Sequence, residues 1–274
     1  EGSMRDPLRS ESEAGRRLYD TLIAPARALI SDGAHIVLLP DGALHQLNFE
    51  MLPVYGENPH YWIDEVTVSI APSFGIFRPE KDRSSEDKTA LIIGDPVSPA
   101  AEYPALPHAG SEIASIGKRF GSARTKTVVR DAAYPGSYAA AGPENYSIIH
   151  LAAHAEANVR SPLDSAVILS RAGEGFKLYA RDIIRSPLRA ELVTLSACRT
   201  SGARTYAGEG LVGLTWAFLQ AGAHSVVAGL WDVSDESTAW MMDRFYAEIA
   251  GGTNPTDALR RAKLALRQTV YSKP

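Results

Sequence analysis

The sequence predicts an α/β fold with a mostly parallel sheet, and three observations carry that reading. Short uninterrupted apolar runs recur along the chain, amphipathic segments of helical spacing lie between them, and the two kinds alternate from about residue 90 onward. A strand covered on both faces has no polar side to show, so it reads as a continuous apolar run rather than an alternating one. Such strands interleaved with helices imply a sheet with helices packed on both faces.

Residues 12–30 have helical spacing, with Leu18, Leu22, Ile23, Leu29 and Ile30 on one broad face and Pro25 as an interruption. His35 to Leu39 is a short strand closed by the turn Pro40-Asp41-Gly42. Leu44 to Leu52 and Glu65 to Ile70 supply further short β-like segments. From Arg78 to Lys88 the chain turns charged and serine-rich, which marks a boundary. Beyond it the predicted strands are 90–94, 126–129, 147–151, 166–169, 192–196 and 226–230, and the helices fall at about 109–120, 209–221, 235–250 and 255–268. Asn254 with Pro255 signals the start of the last helix, and Ser234 or Asp235 the start of the one before it. The chain thus divides into residues 1–15, set aside as a remnant before a start methionine and a polar tail, then a smaller N-terminal α/β portion at 16–82, then the main portion at 83–274.

Composition narrows the function. The 28 Lys and Arg nearly balance the 32 Asp and Glu, and a net charge of −4 argues against a nucleic-acid partner. Leu211 to Trp231 is apolar and long enough to cross a bilayer, but Gln220, His224 and the Ala221-Gly222-Ala223 break make it a buried helix followed by a buried strand, so no membrane anchor is expected. A single cysteine, Cys198, excludes a disulfide within the chain and fits a reducing cytosol. It is either a small buried residue or a reactive thiol.

Catalytic groups of open α/β sheets gather at the carboxyl ends of strands. Two such ends carry chemistry: Ile148-Ile149-His150-Leu151-Ala152-Ala153-His154-Ala155, and Leu192-Val193-Thr194-Leu195-Ser196-Ala197-Cys198-Arg199. A thiol needs a nearby base to ionise near neutral pH, and a histidine on a neighbouring strand supplies one. A zinc pair at His150 and His154 lacks both the Glu of the helical zinc motif and any accompanying ligand cluster, so no metal and no other cofactor is expected. His150 is expected to support the site from the interior.

Several segments, in order, resemble the CHAT family, caspase-like proteins related to separases and caspases. They are Leu39-Pro40-Asp41-Gly42-Ala43-Leu44-His45, His150-Leu151-Ala152-Ala153-His154, Leu195-Ser196-Ala197-Cys198-Arg199-Thr200, Gly208-Glu209-Gly210-Leu211, and Leu230-Trp231-Asp232-Val233-Ser234-Asp235. The resemblance implies a caspase-like three-layer α/β/α sandwich and a cysteine endopeptidase with His154 and Cys198 as its dyad. It also implies an oxyanion hole from the backbone N–H groups of Ala155 and Cys198. Trp231, Asp232 and Asp235 become candidates for binding a substrate side chain, Lys or Arg by charge, with Asp235 alternatively capping its helix. Arg199 and Glu209 stand as supporting residues. This chain departs from its caspase relatives in having Ala155 where they often have Gly, and Arg199 where they often have an acidic residue. A protein substrate, a regulatory or helical-repeat partner and a bacterial defence or cell-death setting are what the resemblance suggests. The alternatives are a catalytically silent interaction module and, without a Gly-x-Ser-x-Gly elbow, an acyl or thioester hydrolase.

Overall fold

The computed structural model describes residue 8 and residues 12–75, 88–158, 160–196, 207–229 and 235–269. Two compact units emerge: residues 1–77 with 256–274, and residues 78–255.

In the first unit, helix α1 (Glu13–Leu22) is capped by Ser12, whose hydroxyl accepts from the Gly15 N–H. Pro25 brings no N–H to continue it, and the chain tightens into a 3₁₀ segment, Ala24–Leu29. Leu29 does not join the expected apolar face but is 89% exposed. Strand β1 (His35–Leu38) follows. The β-like reading of 44–52 is replaced by two 3₁₀ turns, Gly42–Gln46 and Phe49–Met51. The cause is local: the Asp41 and Asn48 side chains accept from the N–H groups of Gly42 and Glu50, which favours turns over a ladder. Strands β2 (Pro53–Val54) and β3 (His60–Tyr61) pair antiparallel, and β4 (Thr67–Ile70) pairs parallel with β1. Ile23, Phe49, Leu52, Trp62 and Val66 form the core of this unit.

The second unit carries the predicted sheet. Strands β5 (Ala90–Gly94), β6 (Thr125–Val129), β7 (Ile148–Ala152), β11 (Leu192–Ser196) and β12 (Ser225–Ala228) are all parallel in the order β12-β11-β7-β5-β6. Leu91, Ile93, Ile149, Leu151, Val193 and Leu195 face one core, which α3 (Pro135–Ala140), α4 (Ala180–Ile184) and α5 (Ala207–Ala221) help close through Tyr138, Ile183, Leu214 and Phe218. The other face lies under α2 (Ala109–Phe120) and α6 (Asp235–Ala250), whose Glu112 and Tyr246 reach the β7 side chain of His150. Strands β8 (Ala155–Glu156), β9 (Ala166–Ala172) and β10 (Gly175–Tyr179) form a separate antiparallel sheet. The described part of the apolar stretch, 211–229, resolves as expected: α5 ends, Gly222 turns the chain at φ +119, and β12 begins. Among the described residues no helix is long and apolar enough to cross a membrane.

The last helix, α7 (Pro255–Leu266), differs from the sequence reading, which grouped it with residue 83 onward. From residue 256 it belongs to the first unit. Asp257 accepts from the Thr67 hydroxyl at 2.9 Å, Arg260 donates to the carbonyls of Ile63 and Asp64, and Lys263 pairs with Glu50 at 2.6 Å.

Candidate functional site

Strand β7 lies between β5 and β11, with Ala152 level with Gly94 on one side and Ser196 on the other. His154 is therefore two residues past the carboxyl end of a central strand. Cys198 stands two residues past the level end of β11 by sequence count; with Arg199 it lies outside the described residues. So do Trp231 and Asp232. Asp235 and Glu209 fall in α6 and α5, but their side chains are outside the description too. Of the residues expected at the site, the structure thus describes His154, Ala155 and His150.

His154 is 4% exposed. Its Nε2 lies 2.7 Å from the carbonyl oxygen of Pro104. A carbonyl only accepts, so Nε2 carries the proton, and in the neutral ring Nδ1 is then the basic nitrogen. Tyr103 flanks the imidazole with ring centroids 6.2 Å apart. The His154 carbonyl accepts from the Ile168 N–H at 2.8 Å, which makes Ala155 and Val167 a non-hydrogen-bonded pair of the β8–β9 ladder. The Ala155 N–H is consequently directed away from β9.

His150 is fully buried, four residues earlier on β7. Its Nδ1 lies 3.1 Å from the Tyr246 hydroxyl, which in turn donates to Thr194 Oγ1 at 2.8 Å. Its Nε2 lies 3.0 Å from Glu112 Oε1, close enough for an ion pair although neither atom is in a well-aligned hydrogen bond. Burial raises the Tyr246 phenol above its ordinary range and the Glu112 carboxylate adds to this, while the bond to Thr194 opposes it. The phenol thus stays protonated, as a link between ring and hydroxyl. The network ties helices α2 and α6 to strands β7 and β11 from beneath.

Sequence reasoning missed Pro104, Tyr103, Glu112 and Tyr246. Pro104 acts through a backbone carbonyl, which no residue type announces. Tyr246 and Glu112 sit on helical stripes where an aromatic or a lone acid reads as ordinary packing or surface.

The CHAT-domain family model matches residues 12–273. The chain is 26% identical over 329 residues to Tetratricopeptide repeat protein 28 of Mus musculus, covering 100% of this chain and 13% of that protein. Against Tetratricopeptide repeat protein 28 of Homo sapiens, identity is 32% over 98 residues, 35% of this chain and 4% of that protein. The chain therefore spans only a small part of these relatives. Among solved structures, it superposes on the Arg-specific cysteine proteinase gingipain R with a TM-score of 0.53 at 10% identity, covering 95% of this chain and 63% of that one. The complex of Porphyromonas gingivalis RgpB pro- and mature domains gives a TM-score of 0.52 at 12% identity, over 95% of this chain and 64% of that one. At such identity the likeness is one of fold.

Proposed function

This chain belongs to the CHAT-domain family, and from that premise we propose that it is a cysteine endopeptidase with His154 and Cys198 as its dyad. The observation that carries the reading is the bond from His154 Nε2 to the Pro104 carbonyl. It holds the ring at the carboxyl end of a central strand in the tautomer that would let Nδ1 act as the base, which supports the reading. The neighbouring strand ends level with β7, at Ser196 against Ala152, two residues before the thiol.

In the reaction, His154 takes the thiol proton and the Cys198 sulfur attacks the scissile carbonyl carbon. The tetrahedral oxyanion is held by the N–H groups of Ala155 and Cys198. Collapse breaks the C–N bond as His154 returns its proton to the leaving amine. His154 then deprotonates the water that cleaves the thioester and restores the thiol. Arg199 and Glu209 have supporting roles in this reading, and Asp232, next to Trp231 in the sequence and with Asp235 following, receives a Lys or Arg side chain by charge pairing. The arginine specificity in the name of gingipain R, which shares the fold, agrees with that charge. The substrate is a protein. A helical-repeat partner accords with the tetratricopeptide-repeat name of the relatives, and a role in defence or regulated cell death in a bacterial cytoplasm completes the proposal.

The 4% exposure of His154 favours a second reading, a caspase-like interaction module that does not turn over. Peptide N-termini mapped in a lysate treated with wild type or Cys198→Ala separate the two. New termini after Lys or Arg, present only with wild type, support the peptidase; identical termini support the module.

A further inference from the structure

The loop between β5 and α2 holds the carbonyl that orients His154, and a second set of contacts determines where that loop sits. Asp95 opens it in a left-handed conformation, φ +45, and Tyr103 is the sole buried side chain from residue 95 to residue 108. An exposed loop anchored by one aromatic plug is positioned by whatever holds the plug. The Tyr103 hydroxyl donates to Glu156, two residues after His154, and the Lys177 ammonium of β10 donates to the other oxygen of the same carboxylate. The phenol ring packs against Phe176 of β10 at 6.0 Å, and Arg171 of β9 lies over that Phe176 ring at 4.7 Å. The same hairpin fastens the loop at two further points, where the Val97 N–H donates to the Ser170 hydroxyl at 2.9 Å and Arg171 donates to the Pro99 carbonyl at 3.1 Å.

We propose that Tyr103, held by Glu156 and Lys177, is a positioning residue for His154: it places the adjacent Pro104 carbonyl and so selects the Nε2–H tautomer that leaves Nδ1 as the base. The bond between a neutral phenol and a carboxylate is charge-assisted, and its loss frees the one buried side chain of the loop. Burial and Glu156 together raise the phenol's pKa above its ordinary range, so the donor stays protonated. The importance of this for turnover rests on the peptidase reading; the tautomer does not.

The test is ¹⁵N NMR of histidine-labelled full chain, with the His154 resonances assigned by their loss in His154→Gln, run beside electrophile labelling of Cys198. In Tyr103→Phe and Glu156→Gln, the ratio of Nε2–H to Nδ1–H tautomer at His154 falls about three- to tenfold, the change that one hydrogen bond is worth. Glu156 is 36% exposed, so Glu156→Gln keeps the question open should Tyr103→Phe not fold. Folded variants with an unchanged tautomer ratio overturn the positioning role. A changed ratio with an inert Cys198 in wild type upholds it and removes the peptidase reading instead.

Discussion

His60 meets two acceptors, the Asn58 carbonyl at its Nδ1 (2.7 Å) and the Glu65 carboxylate at its Nε2 (2.9 Å). Burial opposes its charge, yet these partners outweigh it and raise the imidazole above its ordinary 6.5. A raised value in the folded state stabilises fully below the unfolded value and is lost as pH rises through the folded one. Denaturation followed at alkaline and acidic sides of about pH 6.5 should therefore show the first unit weaker on the alkaline side, and His60→Gln should flatten that dependence. His150 makes the opposite kind of residue-scale statement. His150→Ala strands a buried carboxylate at Glu112, a loss of about 3–5 kcal/mol, whereas Tyr246→Phe removes only a hydroxyl between two buried groups and costs about 1–3 kcal/mol. Equal losses in equilibrium unfolding would show that Glu112 gains little from the ring. His150 was legible as a supporting residue because it sits inside an apolar strand; its partners were not, since Glu112 and Tyr246 lie 38 residues before and 96 after it.

The central strands of the parallel sheet were readable because burial on both faces keeps their runs mostly apolar: Ala90–Gly94 and Leu192–Ser196 are buried throughout, the polar Thr194 and Ser196 included. The β9–β10 hairpin was read only in its first half. Its second strand, Phe176-Lys177-Leu178-Tyr179, alternates as a one-sided strand does, and Gly173 at φ +60 turns the chain before it. A glycine-bounded alternation was the signal available. The 3₁₀ turns at 42–51 show the reverse case, an apolar run whose Asp41 and Asn48 caps decide the backbone. Gly94 ties element packing to the site. A Cβ there would stand 2.4 Å from the Ala152 carbonyl oxygen, and Ala152 cannot yield without moving His154 two residues on. Gly94→Ala is expected to cost about 3 kcal/mol, since overpacking against backbone finds no rotamer to relax into. Urea unfolding measures it, and a loss under about 1 kcal/mol would mean that the two strands separate easily.

At the scale of the molecule, the charged stretch from Arg78 begins where the chain passes from one compact unit to the other, but composition holds no sign that the chain returns. The returning helix has an apolar stripe like any other, and only its polar partners tell where it belongs. Removing residues 256–274 deletes the bonds to Thr67, Ile63, Asp64 and Glu50 and uncovers the packing of Ala258 and Ala262. Amide exchange in β1 and β4 should then accelerate while the parallel sheet keeps its protection; uniform acceleration would show one cooperative unit. The central claim, that His154 activates Cys198, is tested most directly by the pH profile of iodoacetamide labelling at Cys198. Labelling at neutral pH that His154→Ala slows by about 10²-fold or more, the usual worth of a positioned base, is the result predicted. A thiol that reacts only at alkaline pH, with the same profile in wild type and His154→Ala, would contradict it.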